Sequence, residues 1–110
     1  MKLYLDTSTP LTVLKLDEKT FKREFGRDLS LHLLGFIHEQ LISSQKDWQD
    51  LTELHFFTGP GSFTGLRIGA TVINTLSNEL GIPIYDQDGQ SLKIVLPKYG
   101  RPANISKPKK

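Results

Sequence analysis

A glycine-rich turn between an apolar strand and an amphipathic helix constrains this chain more than any other stretch. The segment runs from His55 to Gly69. Its apolar start is typical of a buried strand, and the residues after it have helical periodicity. The glycines and the proline between them indicate a backbone that turns where side chains would collide. Such a turn exposes amides at the positive end of a helix, which suits an anion, and Ser62 or Thr64 is the expected N-cap.

The spacing of this turn differs from that of two common nucleotide-binding motifs. A P-loop ends in Gly-Lys-Ser/Thr, and no lysine stands in the turn. The dinucleotide fingerprint needs a third glycine where this chain has Thr64, and the glycine follows one residue later. From the residues alone the turn is either an anion site or a structural turn that lets helix and strand pack closely. The second interpretation is favoured.

The literal sequence of the turn is more specific than its spacing. The eleven residues Gly59-Pro60-Gly61-Ser62-Phe63-Thr64-Gly65-Leu66-Arg67-Ile68-Gly69 closely resemble the signature of the bacterial tRNA threonylcarbamoyladenosine biosynthesis protein TsaB (YeaZ) family. Leu5-Asp6-Thr7-Ser8-Thr9 resembles that family's opening strand and turn. The resemblance covers roughly residues 1–92. It implies an α/β fold, a single actin-like, Hsp70-like (ribonuclease H-like) lobe with the order β-β-β-α-β-α-β and helices packed on a mixed sheet.

The resemblance also implies a function and partners. The family has a non-catalytic role in making the modified adenosine next to tRNA anticodons, and it pairs with the catalytic subunit TsaD through the helices of its first lobe. It therefore implies a heterodimer, a larger complex with a TsaE-like ATPase, indirect contact with tRNA, and a homodimer when TsaD is missing. Family members carry a second lobe that the 110 residues do not match, which weighs against autonomous ATP hydrolysis.

The alternative function is that of an enzyme or nucleotide binder of the actin-like superfamily. It would use Asp6 with the glycine-rich turn, since catalytic members typically carry an aspartate in the first turn. Thr7 and Ser8 restrict a phosphate's approach, so Asp6 is preferred as a cap of its own turn. No acid–base pair or nucleophile set can be assembled from spacing. The candidate anion-binding residues are Asp6, Thr7, Ser8, Gly59, Gly61, Ser62, Thr64 and Gly65.

The first predicted helix carries more apolar surface than one sheet needs. It runs from Asp28 to about Lys46, with Leu29, Leu33, Leu34, Ile37 and Leu41 on its core face. Leu31, Phe36 and Ile42 fall outside that face. They indicate either a partner interface or partly exposed residues, with neither preferred. Together with the second helix, Gly65–Leu80, the expected interface is Leu31, Leu34, Phe36, His38, Ile42, Arg67, Ala70, Thr71 and Asn74.

No metal or cofactor is expected. His32 and His38 are six residues apart on the first helix, so they cannot hold one metal from one face, and the histidine pair of TsaD has no counterpart here. The chain has no cysteine, which excludes disulfides and thiolate catalysis.

Charge divides the chain into a body and a tail. Residues up to Asp88 carry 8 Lys/Arg against 12 Asp/Glu, whereas residues from Gly89 onward carry 6 Lys/Arg and no acid. We expect a lobe over residues 1–92 and a basic Pro/Lys-rich tail over residues 93–110, either solvated or in contact with tRNA phosphates. No apolar run approaches the ~18 residues of a membrane span, and no signal peptide is evident, so the cytoplasm is the expected location.

Overall fold

The chain folds into a six-stranded sheet with two α-helices and two short 3-10 helices (Gly26–Asp28 and Trp48–Asp50), and the computed structural model describes residues 1–96 of it. The predicted basic tail lies outside the described residues from Pro97 onward. The elements are β1 (Lys2–Asp6), β2 (Leu11–Leu16), β3 (Lys19–Glu24), α1 (Leu29–Ser43), β4 (Glu53–Phe56), α2 (Phe63–Leu80), β5 (Ile84–Tyr85) and β6 (Ser91–Leu92). The predicted order is confirmed, and β6 is an additional short strand.

The sheet is mixed, as predicted. Its strand order is β3-β2-β1-β4-β5-β6. The first three strands form an antiparallel meander, while β1, β4 and β5 are parallel to one another and β6 is antiparallel to β5. Parallel neighbours need crossover connections, which α1 and α2 supply. The carboxyl ends of β1 and β4 therefore lie side by side at one edge of the sheet.

The core lies between the helices and one face of the sheet. Alternation along the strands puts every second side chain on this face, and the strand residues there are fully or almost fully buried. A fully buried leucine or phenylalanine contributes about 1.5–3 kcal/mol, so this layer supplies most of the driving force for folding. Its main members are Leu3, Leu5, Leu14, Leu16, Leu54, Phe56 and Ile84 from the strands and Leu33, Ile37, Leu41, Leu66 and Ile73 from the helices.

The core face of α1 is rotated from the predicted one. Phe36, expected on the partner surface, is 3% exposed, so that prediction was wrong. Leu34, which was placed on the apolar face of the helix and also in the expected interface, is 49% exposed. Phe25 packs edge-on against the Phe36 ring with 5.3 Å between centroids, and the Arg23 guanidinium lies 4.8 Å from that ring's centroid. Arg23 lies on β3 and Phe25 follows it, and both cover Phe36. The buried face of α1 is therefore rotated toward β3, the strand at the edge of the sheet.

The two ends of α2 have clear local causes. Ser62 is the N-cap, because its hydroxyl accepts a hydrogen bond from the Gly65 amide at 3.2 Å. Gly81 ends the helix in the left-handed conformation, as predicted. Within residues 1–96, neither helix is long and apolar enough to cross a membrane.

Candidate functional site

Two turns that the sequence analysis singled out meet at the carboxyl edge of β1 and β4. The turn after β1 contains Thr7 and Ser8, and the glycine-rich turn leads from β4 into α2. The Ser62 amide donates to the Ser8 carbonyl at 2.8 Å, and the Thr7 hydroxyl donates to the Gly65 carbonyl at 2.7 Å. The structure therefore brings the two halves of the predicted anion-binding set into direct contact.

Close packing explains two of the signature glycines. A Cβ on Gly61 would lie 2.5 Å from the Ser8 Cβ and 2.8 Å from the Ser8 carbonyl oxygen. A Cβ on Gly65 would overlap the Thr7 carbonyl oxygen. Both glycines are thus required where the start of α2 lies against the first turn.

Asp6 caps its own turn. Its Oδ1 accepts a hydrogen bond from the Ser8 amide at 2.9 Å and another from the Ser8 hydroxyl at 2.6 Å. These are the bonds of an Asx turn, in which a short carboxylate satisfies the backbone two residues later. The geometry matches the preferred interpretation of Asp6, because its Oδ1 accepts from the amide and the hydroxyl of Ser8.

Gln87 bridges the glycine-rich turn to the loop after β5, and sequence reasoning missed it. Its Oε1 accepts from the Thr58 amide and hydroxyl, both at 3.0 Å, and its Nε2 donates to the Gly59 carbonyl at 3.1 Å. The Gly59–Pro60 peptide bond is cis. The one available sequence signal was the position of Gln87 just after the strand that became β5. That strand was expected to lie near β4, which leads into the glycine-rich turn.

A cavity of about 230 Å3 lies beside these turns. Thr9 and Arg27 line one side of it, and Ser62 and Thr64 at the start of α2 line another. Asp6 does not line this cavity.

The outward surface of α1 carries exposed aliphatic side chains. Leu31 is 75% exposed, Leu34 49% and Ile42 57%. His38 lies between them along the helix, and its ring stacks on Trp48 with 5.3 Å between centroids. We call the exposed residues Leu31, Leu34, His38 and Ile42 the α1 surface. Since residues three and four apart share a helix face, they form one continuous strip.

The predicted α2 residues divide into exposed and buried ones. Arg67 and Thr71 are exposed and border a groove of about 500 Å3 that Ser30 of α1 also lines. Ala70 is only 5% exposed, so its assignment to the partner surface was wrong, because its side of α2 faces the core.

Asn74 contacts the segment that follows β6. Its side-chain oxygen accepts a hydrogen bond from the Val95 amide at 2.7 Å, and its side-chain nitrogen donates one to the Val95 carbonyl at 3.3 Å. Val95 is only 2% exposed, although it lies after residue 92, where the lobe was expected to end and the tail to begin.

Metal-binding geometry is not found in the part of the chain that the structure describes. No three histidine or carboxylate side chains of residues 1–96 are grouped closely enough to hold an ion. His32 stacks on Phe25 with 6.2 Å between centroids, and His55 contacts Glu53 Oε1 at 2.7 Å.

Comparisons with known proteins place this geometry in context. The family model described as TsaD, tRNA N6-adenosine threonylcarbamoyltransferase, matches residues 17–86. The tRNA threonylcarbamoyladenosine biosynthesis protein TsaB of Bacillus subtilis (strain 168) is 36% identical over 87 residues, covering 74% of this chain and 38% of the relative. TsaB of Buchnera aphidicola from Acyrthosiphon pisum (strain APS) is 36% identical over 72 residues, covering 58% of this chain and 33% of the relative.

A solved structure shares the fold. YeaZ from Pseudomonas aeruginosa superposes with a TM-score of 0.68 at 27% identity, over 77% of this chain and 42% of that one. Its fold is actin-like and ribonuclease H-like, which confirms the predicted fold class. The chain spans 28–38% of the length of the curated relatives it matches.

Proposed function

Because this chain belongs to the TsaD (tRNA N6-adenosine threonylcarbamoyltransferase) family and its curated relatives are TsaB proteins, we propose that it is a TsaB-like subunit of the tRNA threonylcarbamoyladenosine machinery. In this role it is non-catalytic, acts in the cytoplasm, and binds and stabilises a TsaD-like catalytic subunit. The observation that carries the proposal is the exposed aliphatic strip on α1.

The α1 surface has the composition of a docking site. Three large aliphatic side chains, Leu31, Leu34 and Ile42, are about half exposed or more on one helix. An exposed apolar patch on a small protein commonly marks an interaction site. The adjoining groove between α1 and α2, with Arg67 and Thr71 on its rim, gives a partner's side chains a place to insert.

A partner with homologous helices fits this surface. The TsaD family model matches residues 17–86, a range that includes both α1 and α2. A TsaD-like protein therefore has a corresponding helix pair, and two helix pairs can pack side chain ridges into grooves at an interaxial distance of about 8–10 Å. A TsaE-like ATPase would join the larger complex, and tRNA would be contacted indirectly.

The internal bonding of the signature supports a non-catalytic role. The Asp6 carboxylate accepts two hydrogen bonds from Ser8, and the faces of Gly61 and Gly65 are covered by the same turn. A group that is to assist a reaction must be able to reach the substrate. The bonds of Thr7 and Ser8 to Gly65 and Ser62, with the close packing at Gly61 and Gly65, fix the start of α2, and hence the angle at which the docking helices are presented.

Introducing a negative charge on the α1 surface tests the proposal. We expect Leu31→Asp and Leu34→Asp each to weaken binding to TsaD from the same source at least tenfold, measured by isothermal titration calorimetry. Leu11→Asp is the matched control, because Leu11 is 41% exposed on the other face of the sheet. Circular dichroism should show all three variants folded. Unchanged binding by both α1 variants, or equal loss in the control, would reject the α1 surface as the docking site.

A further inference from the structure

Gly35 is a residue of α1 that the packing of residues 1–96 does not explain. It lies inside the helix, it is exposed, and its backbone is helical rather than left-handed. A Cβ built on Gly35 meets nothing within 4 Å. Glycine within a helix is less stable than alanine, because it loses more backbone freedom on folding. Neither the conformation nor the space around Gly35 therefore requires a glycine.

The two glycines of α2 show what a helical glycine does when its neighbour belongs to the same chain. A Cβ on Gly65 would overlap the Thr7 carbonyl oxygen. A Cβ on Gly69 would meet the Thr7 hydroxyl and the Phe56 ring. Both glycines lie where another element comes too close for a side chain. Gly35 has no such neighbour in the part of the chain that the structure describes.

The position of Gly35 is the centre of the α1 surface. When two helices pack lengthwise, a side chain of one enters a hole formed by four residues of the other, at spacing i, i+3, i+4 and i+7. Two overlapping sets of α1 residues have this spacing, and both contain Gly35. The first set is Leu31, Leu34, Gly35 and His38, and the second is Gly35, His38, Glu39 and Ile42. The missing Cβ of Gly35 deepens both holes.

Arg67 adds an uncompensated charge beside this surface. It is exposed on α2 and lines the groove that Ser30 of α1 also lines, next to Leu31. Neither salt bridge among residues 1–96 includes Arg67, and the Glu39 carboxylate of α1 is bonded to Arg23 at 3.3 Å. A binding partner can therefore supply the counter-charge of Arg67.

We propose that a helix of the TsaD-like subunit packs lengthwise on α1 and inserts a large apolar side chain over Gly35, while a carboxylate of that subunit pairs with Arg67. A leucine, methionine or phenylalanine fills a hole that lacks one wall. The missing Cβ also lets the two helix axes approach to the short end of the usual range of about 8–10 Å.

The inference rests on the proposed function and adds the kind of helix that the α1 surface recognises. The TsaD family model matches residues 17–86, which include α1 and α2, so a TsaD-like protein has helices that correspond to them. A second copy of this chain would present the same α1 surface, which contains no carboxylate. The counter-charge that Arg67 needs therefore favours a different polypeptide.

Side chains of increasing size at Gly35 test the contact directly. The full chain is titrated with TsaD from the same source by isothermal titration calorimetry. We expect Gly35→Ala to weaken binding about tenfold and Gly35→Leu about a hundredfold, because the added carbons overfill the holes. Ser43→Leu is the control, since Ser43 is exposed on α1 outside both holes, and it should stay within about twofold. Wild-type affinity in Gly35→Leu, or an equal loss in Ser43→Leu, would overturn the proposal.

Urea unfolding separates a contact with the partner from a defect in the fold. Gly35→Ala should unfold at a higher urea concentration than the wild type although it binds TsaD more weakly, because alanine favours the helix and its methyl group meets no described atom of this chain. Loss of stability together with loss of affinity would contradict the proposal, since Gly35 would then serve the fold of the chain itself.

The salt dependence of binding tests the charge. Arg67→Gln should weaken TsaD binding about tenfold and make the affinity less sensitive to salt, because one ion pair across the interface is lost. Lys22→Gln is the charge-matched control, since Lys22 is exposed on β3 and takes part in neither salt bridge among residues 1–96. Equal effects of the two variants would contradict the pairing of Arg67 with a carboxylate of the partner.

The inference and the proposed function can be distinguished when they fail. If Leu31→Asp abolishes TsaD binding while both Gly35 variants bind normally, the docking role stands and this inference alone is wrong. If light scattering shows a dimer of the chain that Gly35→Leu disrupts while TsaD binding is unchanged, the occupant is a second copy and the inference is again wrong. If no TsaD complex forms with the wild type, both are wrong.

Discussion

Gly65 has no side chain, and this allows the signature turn to pack directly against the turn after β1. Its missing Cβ makes room for the Thr7 carbonyl oxygen, and the Thr7 hydroxyl donates to the Gly65 carbonyl. Sequence reasoning recognised that this glycine permits a close approach, because glycine-rich turns before helices commonly do. It could not identify the neighbour, since residues 7 and 65 are brought together by the parallel pairing of β1 with β4.

We expect Gly65→Ala to lower the free energy of unfolding by about 1–3 kcal/mol, because the added methyl group meets backbone that cannot rotate away. Gly35→Ala is the control, since a Cβ there meets nothing within 4 Å and α1 continues through it. That variant should gain about 0.5–1 kcal/mol, the usual advantage of alanine over glycine within a helix. Urea denaturation measures both. A neutral Gly65→Ala would show that the close contact does not exist.

Tyr4 of β1 offers a pH-dependent test of the environment of its own side chain. Burial raises the pKa of its phenol above the ordinary 10.0, and the nearby Asp6 carboxylate raises it further. The folded state therefore keeps the Tyr4 proton at a pH where the unfolded chain loses it. This contribution to stability is fully present below pH 10 and is lost as pH rises through the folded-state pKa.

We expect the Tyr4→Phe variant to lose less stability at alkaline pH than the wild type, because phenylalanine has no proton to lose. The measurement is the free energy of unfolding of the wild type and of Tyr4→Phe between pH 9 and the alkaline limit of folding. Since the chain has three tyrosines, the difference between the two proteins isolates Tyr4. Parallel pH profiles would contradict the raised pKa.

At the scale of elements, helical periodicity predicted where α1 is but not which way it faces. The predicted end at Lys46 is three residues beyond the observed end at Ser43. The buried stripe turns toward Phe36 because Phe25 and Arg23 cover that ring. Periodicity within one helix contains no information about a ring supplied by another element. The same limitation explains why Gln87, in a loop without periodicity, was not predicted.

Alanine substitutions distinguish the two faces of α1. Phe36→Ala should cost about 3–5 kcal/mol of unfolding free energy, the usual range for a buried phenylalanine. Leu34→Ala should change it by less than about 0.5 kcal/mol, because the side chain is half exposed. Thermal and urea unfolding give both values. Comparable losses in the two variants would mean that Leu34 also belongs to the core.

For the molecule as a whole, the sequence predicted the fold class, the order of the main elements and the mixed sheet. That prediction depended on the alternation of apolar and polar residues in β1 and β2 and on the family resemblance of the signature turn. The pairing of β6 with β5 and the burial of Val95 were not predictable, because the residues after Tyr85 show no hydrophobic periodicity. Their position depends on tertiary contacts, such as the two hydrogen bonds between the Asn74 side chain and the Val95 backbone. The docking surface stays a prediction, and the structure removes Phe36 and Ala70 from it because both are buried.

The central claim is that the helix side of this lobe binds a TsaD-like subunit. Size-exclusion chromatography with light scattering, on the full chain alone and mixed with TsaD from the same source, tests it most directly. We predict a stable 1:1 heterodimer at micromolar concentration that Leu31→Asp disrupts and Leu11→Asp does not. Separate elution of the two proteins at that concentration would contradict the account.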